Sequence, residues 1–267
     1  MNSKRTLQFV FFNFLVFILF FFYRVDAVKI LPFNEYGRVI INKSSEKAGL
    51  SPVVFDHWLH RAMFTCRLCH IDIGFSMEAN DTDITADSNR KGLYCGTCHN
   101  GSRIYNGRKI FESCSDRYDE KDKIRCERCH SFKKDVRRQY DFNKFVEDLP
   151  KRGLGNGIDW EEAEIKSKIK PVDTLEGISI KREKLKNRED FSIKSKGSWM
   201  SDIIFSHEKH TRWNGCELCH PDIFNIEKGG TKFTMFQIYS GEYCGVCHGK
   251  VAFPVIECDR CHTKPVR

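Results

Sequence analysis

The sequence predicts a small, loop-rich chain, mostly irregular with some α-helix, built as two tandem domains whose cores are cofactors rather than side chains. Three observations predict this. Six Cys-x-x-Cys-His pentads begin at Cys66, Cys95, Cys126, Cys216, Cys244 and Cys258 and use twelve of the thirteen cysteines. The pentads and their flanks repeat, three to a half and in the same order. Roughly 40 residues are available per pentad, too few for a conventional core around each.

Each pentad can do three jobs for one haem. Its two thiols, Cys66 and Cys69 in the first, add across the vinyl groups as thioethers. The two-residue spacer lets both sulfurs reach one porphyrin edge, and the adjacent His falls under the iron. The same holds for Cys95 and Cys98, Cys126 and Cys129, Cys216 and Cys219, Cys244 and Cys247, and Cys258 and Cys261. The expected cofactors are six covalently bound haem c groups, with His70, His99, His130, His220, His248 and His262 as proximal ligands. Short loops wrapped over the haems imply an apo chain that does not fold.

At the N-terminus, Lys4 and Arg5 precede an apolar run from Leu7 to Tyr23 and then Val25-Asp26-Ala27. This is the layout of a signal peptide over residues 1–27. The run is slightly long for a signal core and slightly short for a membrane span, so a retained membrane tether stays open beside cleavage. Export to the periplasm agrees with haem attachment outside the cytoplasmic membrane. Residues 28–50 read as a short leader in which Pro32, Asn34, Gly37 and Gly49 oppose a long regular element.

The formal charge is +8, and +6 without residues 1–27. Such a balance can mark a nucleic-acid binder, but here acidic and basic residues interleave throughout. The excess has another use, because each haem brings two propionates and, oxidised, one net negative charge.

The repeat sets the domains. Phe55, His57, His60 and the pentad at Cys66 recur 150 residues later as Phe205, His207, His210 and the pentad at Cys216. Tyr94-Cys95-Gly96 recurs as Tyr243-Cys244-Gly245 at offset 149, and Cys126-Glu-Arg matches Cys258-Asp-Arg at offset 132. The first half therefore carries about 17 extra residues between its second and third pentads. The expected domains are residues 51–130 and 201–267.

Between them, residues 131–200 lack cysteine and mix charges. Two short helices are expected: one from Asp141 as N-cap to Leu149 before Pro150, one from Asp159, with Glu162 at capping-box spacing, to just before Pro171. Either this is a solvated spacer or a belt packed over the haem faces. Phe142, Phe145, Trp160, Ile165 and Ile169 favour packing.

Ten histidines are present, and outside the pentads only His57, His60, His207 and His210 remain. They form two H-x-x-H pairs, each just upstream of the first pentad of its half, and are read as distal iron ligands. Four distal histidines for six irons leave one position per half. Met77 and Met235, each following Phe-x between the first and second pentads, are the candidates. A Met beside Phe is otherwise core filler, and an iron left five-coordinate is the alternative. Cys114, in the insertion, is a free thiol, a cross-link or incidental.

H-x-x-H before C-x-x-C-H, then Y-C-G-x-C-H, then C-x-R-C-H, resembles the c(7)-type triheme cytochrome domain, a relative of cytochrome c(3), present here as two tandem copies. Gly155-Asn-Gly-Ile-Asp-Trp160 resembles the region that accompanies such domains in tandem cytochromes. The resemblance implies closely spaced haems and electron transfer in anaerobic respiration. It implies that His57 serves the haem of His70, His60 that of His99 and Met77 that of His130. His207, His210 and Met235 would repeat these roles for His220, His248 and His262. Single-domain members usually place a third distal His where Met stands here.

The expected function is an exported hexahaem electron carrier and not an enzyme. Its donor would be a membrane dehydrogenase or quinol-linked protein, its acceptor a reductase or outer-membrane cytochrome. The alternative is a multihaem reductase with one open iron per half. Zinc scaffolds close four-ligand sites with paired C-x-x-C units and do not need a His after every second Cys.

Overall fold

Two hairpins of one design open the two halves of the computed structural model, which describes residues 31–114, 126–130, 141–182, 189–197 and 199–264. In the first, strand β1 (Arg38–Ile41) pairs antiparallel with β2 (Val53–Asp56), Val39 facing Phe55. A short helix, α1 (Lys43–Lys47), bridges them. In each half the second strand runs directly into the helix that begins with the H-x-x-H histidine. After β2 this is α2 (His57–Met63), with Asp56 as its extended N-cap residue. The leader is therefore no separate segment, because its strand sets the entry angle of α2.

The first pentad continues from α2 into a π-helical turn, Leu68–Asp72. Helix α3 (Ala86–Arg90) is opened by a capping box between Thr85 and Ser88, and a 3₁₀ turn, Tyr94–Thr97, carries the second pentad. The insertion that follows holds a two-residue-strand hairpin, β3 (Ile104–Tyr105) and β4 (Arg108–Lys109). Its turn is Asn106-Gly107, both at positive φ, as a tight hairpin turn requires.

The segment between the halves forms the expected helices in shorter form. Helix α4 (Phe142–Val146) is capped by Asp141, whose carboxylate accepts from the amides of Asn143 and Lys144. Helix α5 (Trp160–Ile165) is capped by Asp159. It stops well before Pro171, because Ser167 adopts φ 53° and the amides of Lys168 and Ile169 turn back to the Ala163 carbonyl. Glu162 does not complete a capping box. Its carboxylate pairs with Lys166 instead.

This segment is a belt. Leu149, Ile158, Ala163 and Ile169 are buried together with Ala62 of α2, and Phe142, Phe145, Trp160 and Trp213 pack around them. Ile165 was expected inside and is 68% exposed. Asn156 donates to the carbonyls of Phe33 and Tyr36. Gly157 sits at φ 71° with Phe33 against it, where a Cβ would lie 2.9 Å from the ring, so the G-N-G stretch ties leader to belt.

The second half repeats the first. Strand β5 (Phe191–Ile193) pairs with β6 (Ile203–Phe205), Phe191 facing Phe205, and β6 leads into α6 (His207–Asn214), capped by Ser206. Helix α7 (Met235–Tyr239) is opened by a capping box of Thr234 and Gln237. The 3₁₀ turns Tyr243–Val246 and Cys258–Arg260 carry the last two pentads. Domain limits at 51 and 201 thus cut a strand pair in each half. Among the described residues only twelve hydrophobic side chains are buried, so side chains alone supply little core. Among them, no helix is long and apolar enough to cross a membrane. The expected signal segment lies outside the described residues.

Candidate haem sites

Spacing of three residues on a helix puts both histidines of each H-x-x-H pair on one face. In α2 they diverge to different pentads. His57 lies across from His70, ring centroids 6.4 Å apart and planes 4° from parallel. His60 lies across from His99, 6.4 Å and 59°. In α6 His210 lies across from His248, 6.2 Å and 59°. One metal held by two imidazole nitrogens at about 2.0 Å on each side sets the centroids roughly 6.3 Å apart. His207 has the surroundings of His57: Phe205 meets it edge-on at 5.0 Å as Phe55 meets His57 at 4.8 Å.

The other ring nitrogens are committed. Nδ1 of His57 faces the Gly37 carbonyl at 2.7 Å, and that of His70 the Phe75 carbonyl at 2.9 Å. His130 and His262 use the carbonyls of Ser51 and Ser201, equivalent residues of the two halves, at 2.7 and 2.5 Å. His207, His210, His220 and His248 do likewise with Glu189, Ser206, Phe224 and Phe253. Nδ1 of His60 and of His99 makes no hydrogen bond of good geometry, although the carbonyls of Asp56 and Phe111 act on them electrostatically. An Nδ1–H held by a carbonyl fixes the tautomer that leaves Nε2 as a free lone pair.

Burial pushes His57, His60 and His248 down to about 4 and lowers His70, His99 and His210. These imidazoles are neutral at pH 7, the state that binds a metal. Burial also pushes thiols up, Cys69, Cys95 and Cys247 to about 12 and Cys219 and Cys244 to about 11. None of the thirteen cysteines forms a disulfide.

Two features of the second pentads explain their sequence. Gly96 and Gly245 stand where a Cβ would meet the carbonyl oxygens of Asn89 and Ile238 at 1.8 and 2.0 Å. Only glycine lets the pentad pass beneath α3 or α7. The Arg of C-x-R-C-H reaches this site from the third pentad. Arg128 lies over Phe111, whose ring is 4.4 Å from His99, and Arg260 lies over Phe253, 4.2 Å from His248. Sequence reading passed over Phe111 and Phe253, although the repeated Arg pointed to a shared partner.

The methionines do not match as their sequence context suggested. Phe75 and Phe224 are the equivalent residues: each accepts from its proximal His and packs on the following Tyr, Tyr94 or Tyr243. Met77 therefore corresponds to Ile226. Met235, first residue of α7, corresponds to Ala86 of α3. Both methionines line the cavity described below, but from different points of the chain. Cys114 is half-buried and accepts from Asn89 Nδ2 at 3.6 Å, close to Cys95.

The first pentads of the halves meet at a seam. Arg182 bridges Asp72 after one pentad (2.7 Å) and Glu217 inside the other (2.5 Å). Arg67 faces Asp72 at 4.0 Å and is held by Asp173 of the belt at 2.5 Å.

The residues present fit the group that the pentads imply. They line a continuous cavity of about 2100 Å³, at least twice the ~300–1,000 Å³ of a single small-molecule pocket. Paired imidazoles across that cavity, covalent-attachment pentads and a near-absent side-chain core define a multihaem c-type cytochrome. The chain belongs to the family of cytochrome c7 and related cytochrome c, whose model matches residues 53–133 and 203–263, two tandem triheme domains. Among solved structures it is similar to a c7-type three-heme cytochrome domain, at 37% identity over 29% of this chain and 95% of that one, TM-score 0.27. It is also similar to the C-terminal and N-terminal hexaheme fragments of GSU1996. Identities are 23% and 24%, over 85% of this chain and 97% and 98% of those, with TM-scores 0.25 and 0.24. No curated protein matches it.

Proposed function

We propose that the protein is an exported hexahaem cytochrome that carries electrons by outer-sphere transfer between periplasmic redox partners in anaerobic respiration, and that it is not an enzyme. Its donor is a membrane dehydrogenase or quinol-linked protein and its acceptor a reductase or outer-membrane cytochrome. The observation that carries this reading is the set of imidazole pairs at 6.2–6.4 Å. Each pair closes both faces of one site, so no substrate can reach a metal held there.

Bound haem supplies the one-electron change between ferric and ferrous iron. The chain's residues do the rest. The twelve pentad cysteines hold six haems by thioethers. Carbonyls hold eight of the ten histidines in one tautomer, and the belt covers α2 from solvent. His57, His60, His207 and His210 take four distal positions. Met77 and Met235 take the remaining two, giving each half one thioether-ligated site of higher potential.

A second reading draws on the non-equivalence of Met77 and Met235. If neither thioether binds, one iron per half is open, and a multihaem reductase is the function. Carbon monoxide tests both. The dithionite-reduced spectrum should not change on adding it. A change equal to one or two haems would favour the reductase.

A further inference from the structure

Arg61 lies in α2 between His60 and Ala62, at the seam of the two halves. Its Nη1 donates to the Val251 carbonyl at 2.6 Å, 190 residues away. The guanidinium lies over Trp160 of the belt at 4.5 Å and over Trp213 of the second half at 5.2 Å. Nε is buried and has no hydrogen-bond partner. Among the described residues no carboxylate forms an ion pair with Arg61. Cys66 of the first half, Cys247 of the second, and Tyr36 act on it electrostatically.

A buried cation without an anion is costly, and guanidinium stays charged at any working pH. The site that Arg61 lines is built for groups that bring carboxylates. At the equivalent place in the second half stands Thr211, whose hydroxyl donates to the His207 carbonyl. The charge is thus placed once, at the seam, and not repeated with the fold.

We propose that Arg61 is the fixed counter-ion of a haem propionate at the seam, and that it raises the reduction potentials of the sites anchored by Cys66 and Cys247. One-electron reduction adds one negative charge to each site, which a nearby cation in a water-poor cavity favours. The anchors flank Arg61, so its charge raises these two sites above the other sites of paired imidazoles. Arg61 is a tuning residue and touches no reacting atom. The inference rests on the electron-carrier reading.

The test uses the holoprotein with R61M, which keeps length and apolar bulk, and R61K, which keeps charge. Spectroelectrochemical titration of R61M should show two of six haems shifted to lower potential by about tenfold in their ferrous/ferric equilibrium, about 59 mV for one electron. R61K should stay near the parent curve. An R61M curve that superimposes on the parent overturns the proposal, as does R61K shifting as far as R61M. If R61M loses haem, R61Q is titrated in its place. If both neutral variants lose haem while R61K loads fully, the charge is required and the proposal stands. If R61K loses haem as well, the position serves packing and the proposal falls. Carbon monoxide binding by the parent protein would overturn the carrier reading without touching this comparison.

Discussion

The imidazoles of His57 and His70 lie 4° from parallel with centroids 6.4 Å apart. Neither ring packs on the other at that distance, and the gap fits one metal and its porphyrin plane. His57→Ala should open one iron. Carbon monoxide should then change the reduced spectrum by the equivalent of one haem, where the parent should show no change. His57→Met should keep that haem low-spin and raise its potential, because thioether favours ferrous iron. An H57A protein indifferent to carbon monoxide would show that another residue ligates there.

Much of this site was legible. Pentads and H-x-x-H pairs are local patterns whose chemistry does not depend on the fold. The belt helices were legible through Asp141 and Asp159, since a cap is also local. The length of α5 was not, because Ser167 turns the chain before the proline that was read as the stop. The different places of Met77 and Met235 were not legible for a related reason. Phe-x-Met recurs in sequence, yet register is set by which Phe carbonyl receives the proximal His, and that is a tertiary fact. Arg61 was not legible at all: its meaning depends on Val251, Trp160 and Trp213, which only folding brings to it.

Met77 and Met235 should be tested separately, since they occupy different places. Met77→Ala and Met235→Ala should each admit carbon monoxide at one haem and remove one component from the high-potential end of the redox titration. A titration unchanged by both would leave the third iron of each half without a thioether.

Gly96 and Gly245 make a sharper structural prediction. A Cβ at either would overlap a backbone carbonyl oxygen at 1.8 or 2.0 Å, a neighbour that cannot swing away. Gly96→Ala should cost about 3 kcal/mol and lower haem content, by pyridine haemochrome assay, by one haem per chain relative to the parent. Gly245→Ala should do the same in the other half. Full haem content in both variants would mean that α3 and α7 can lift off their pentads.

Arg182 holds the seam through Asp72, a carboxylate with no exposed side-chain surface. In Arg182→Ala only Arg67, at 4.0 Å, would remain for it. Losing one partner of a fully buried pair costs about 3–5 kcal/mol. Arg182 is itself 23% exposed, so about 2 kcal/mol is expected after solvent screening. Asp72→Asn should recover part of this in the double variant. Thermal unfolding of the four proteins measures the coupling, and strict additivity would mean that the pair does not hold the halves.

Asp159 caps α5 and also receives Arg152 at 3.0 Å, while Arg152 reaches Glu257 of the second half at 3.2 Å. Burial alone would raise the Asp159 carboxyl. The Glu162 amide and Arg152 outweigh it and hold the group below the usual carboxylate range. A depressed carboxylate stabilises the fold above its unfolded value of about 3.9 and loses that contribution as pH falls through its folded value. Asp159→Ala should therefore lower stability by about 1–2 kcal/mol at pH 7. The gap in Tm between variant and parent should shrink below about pH 4. A gap that stays constant from pH 7 to pH 3 would mean that the cap works by shape and not by charge.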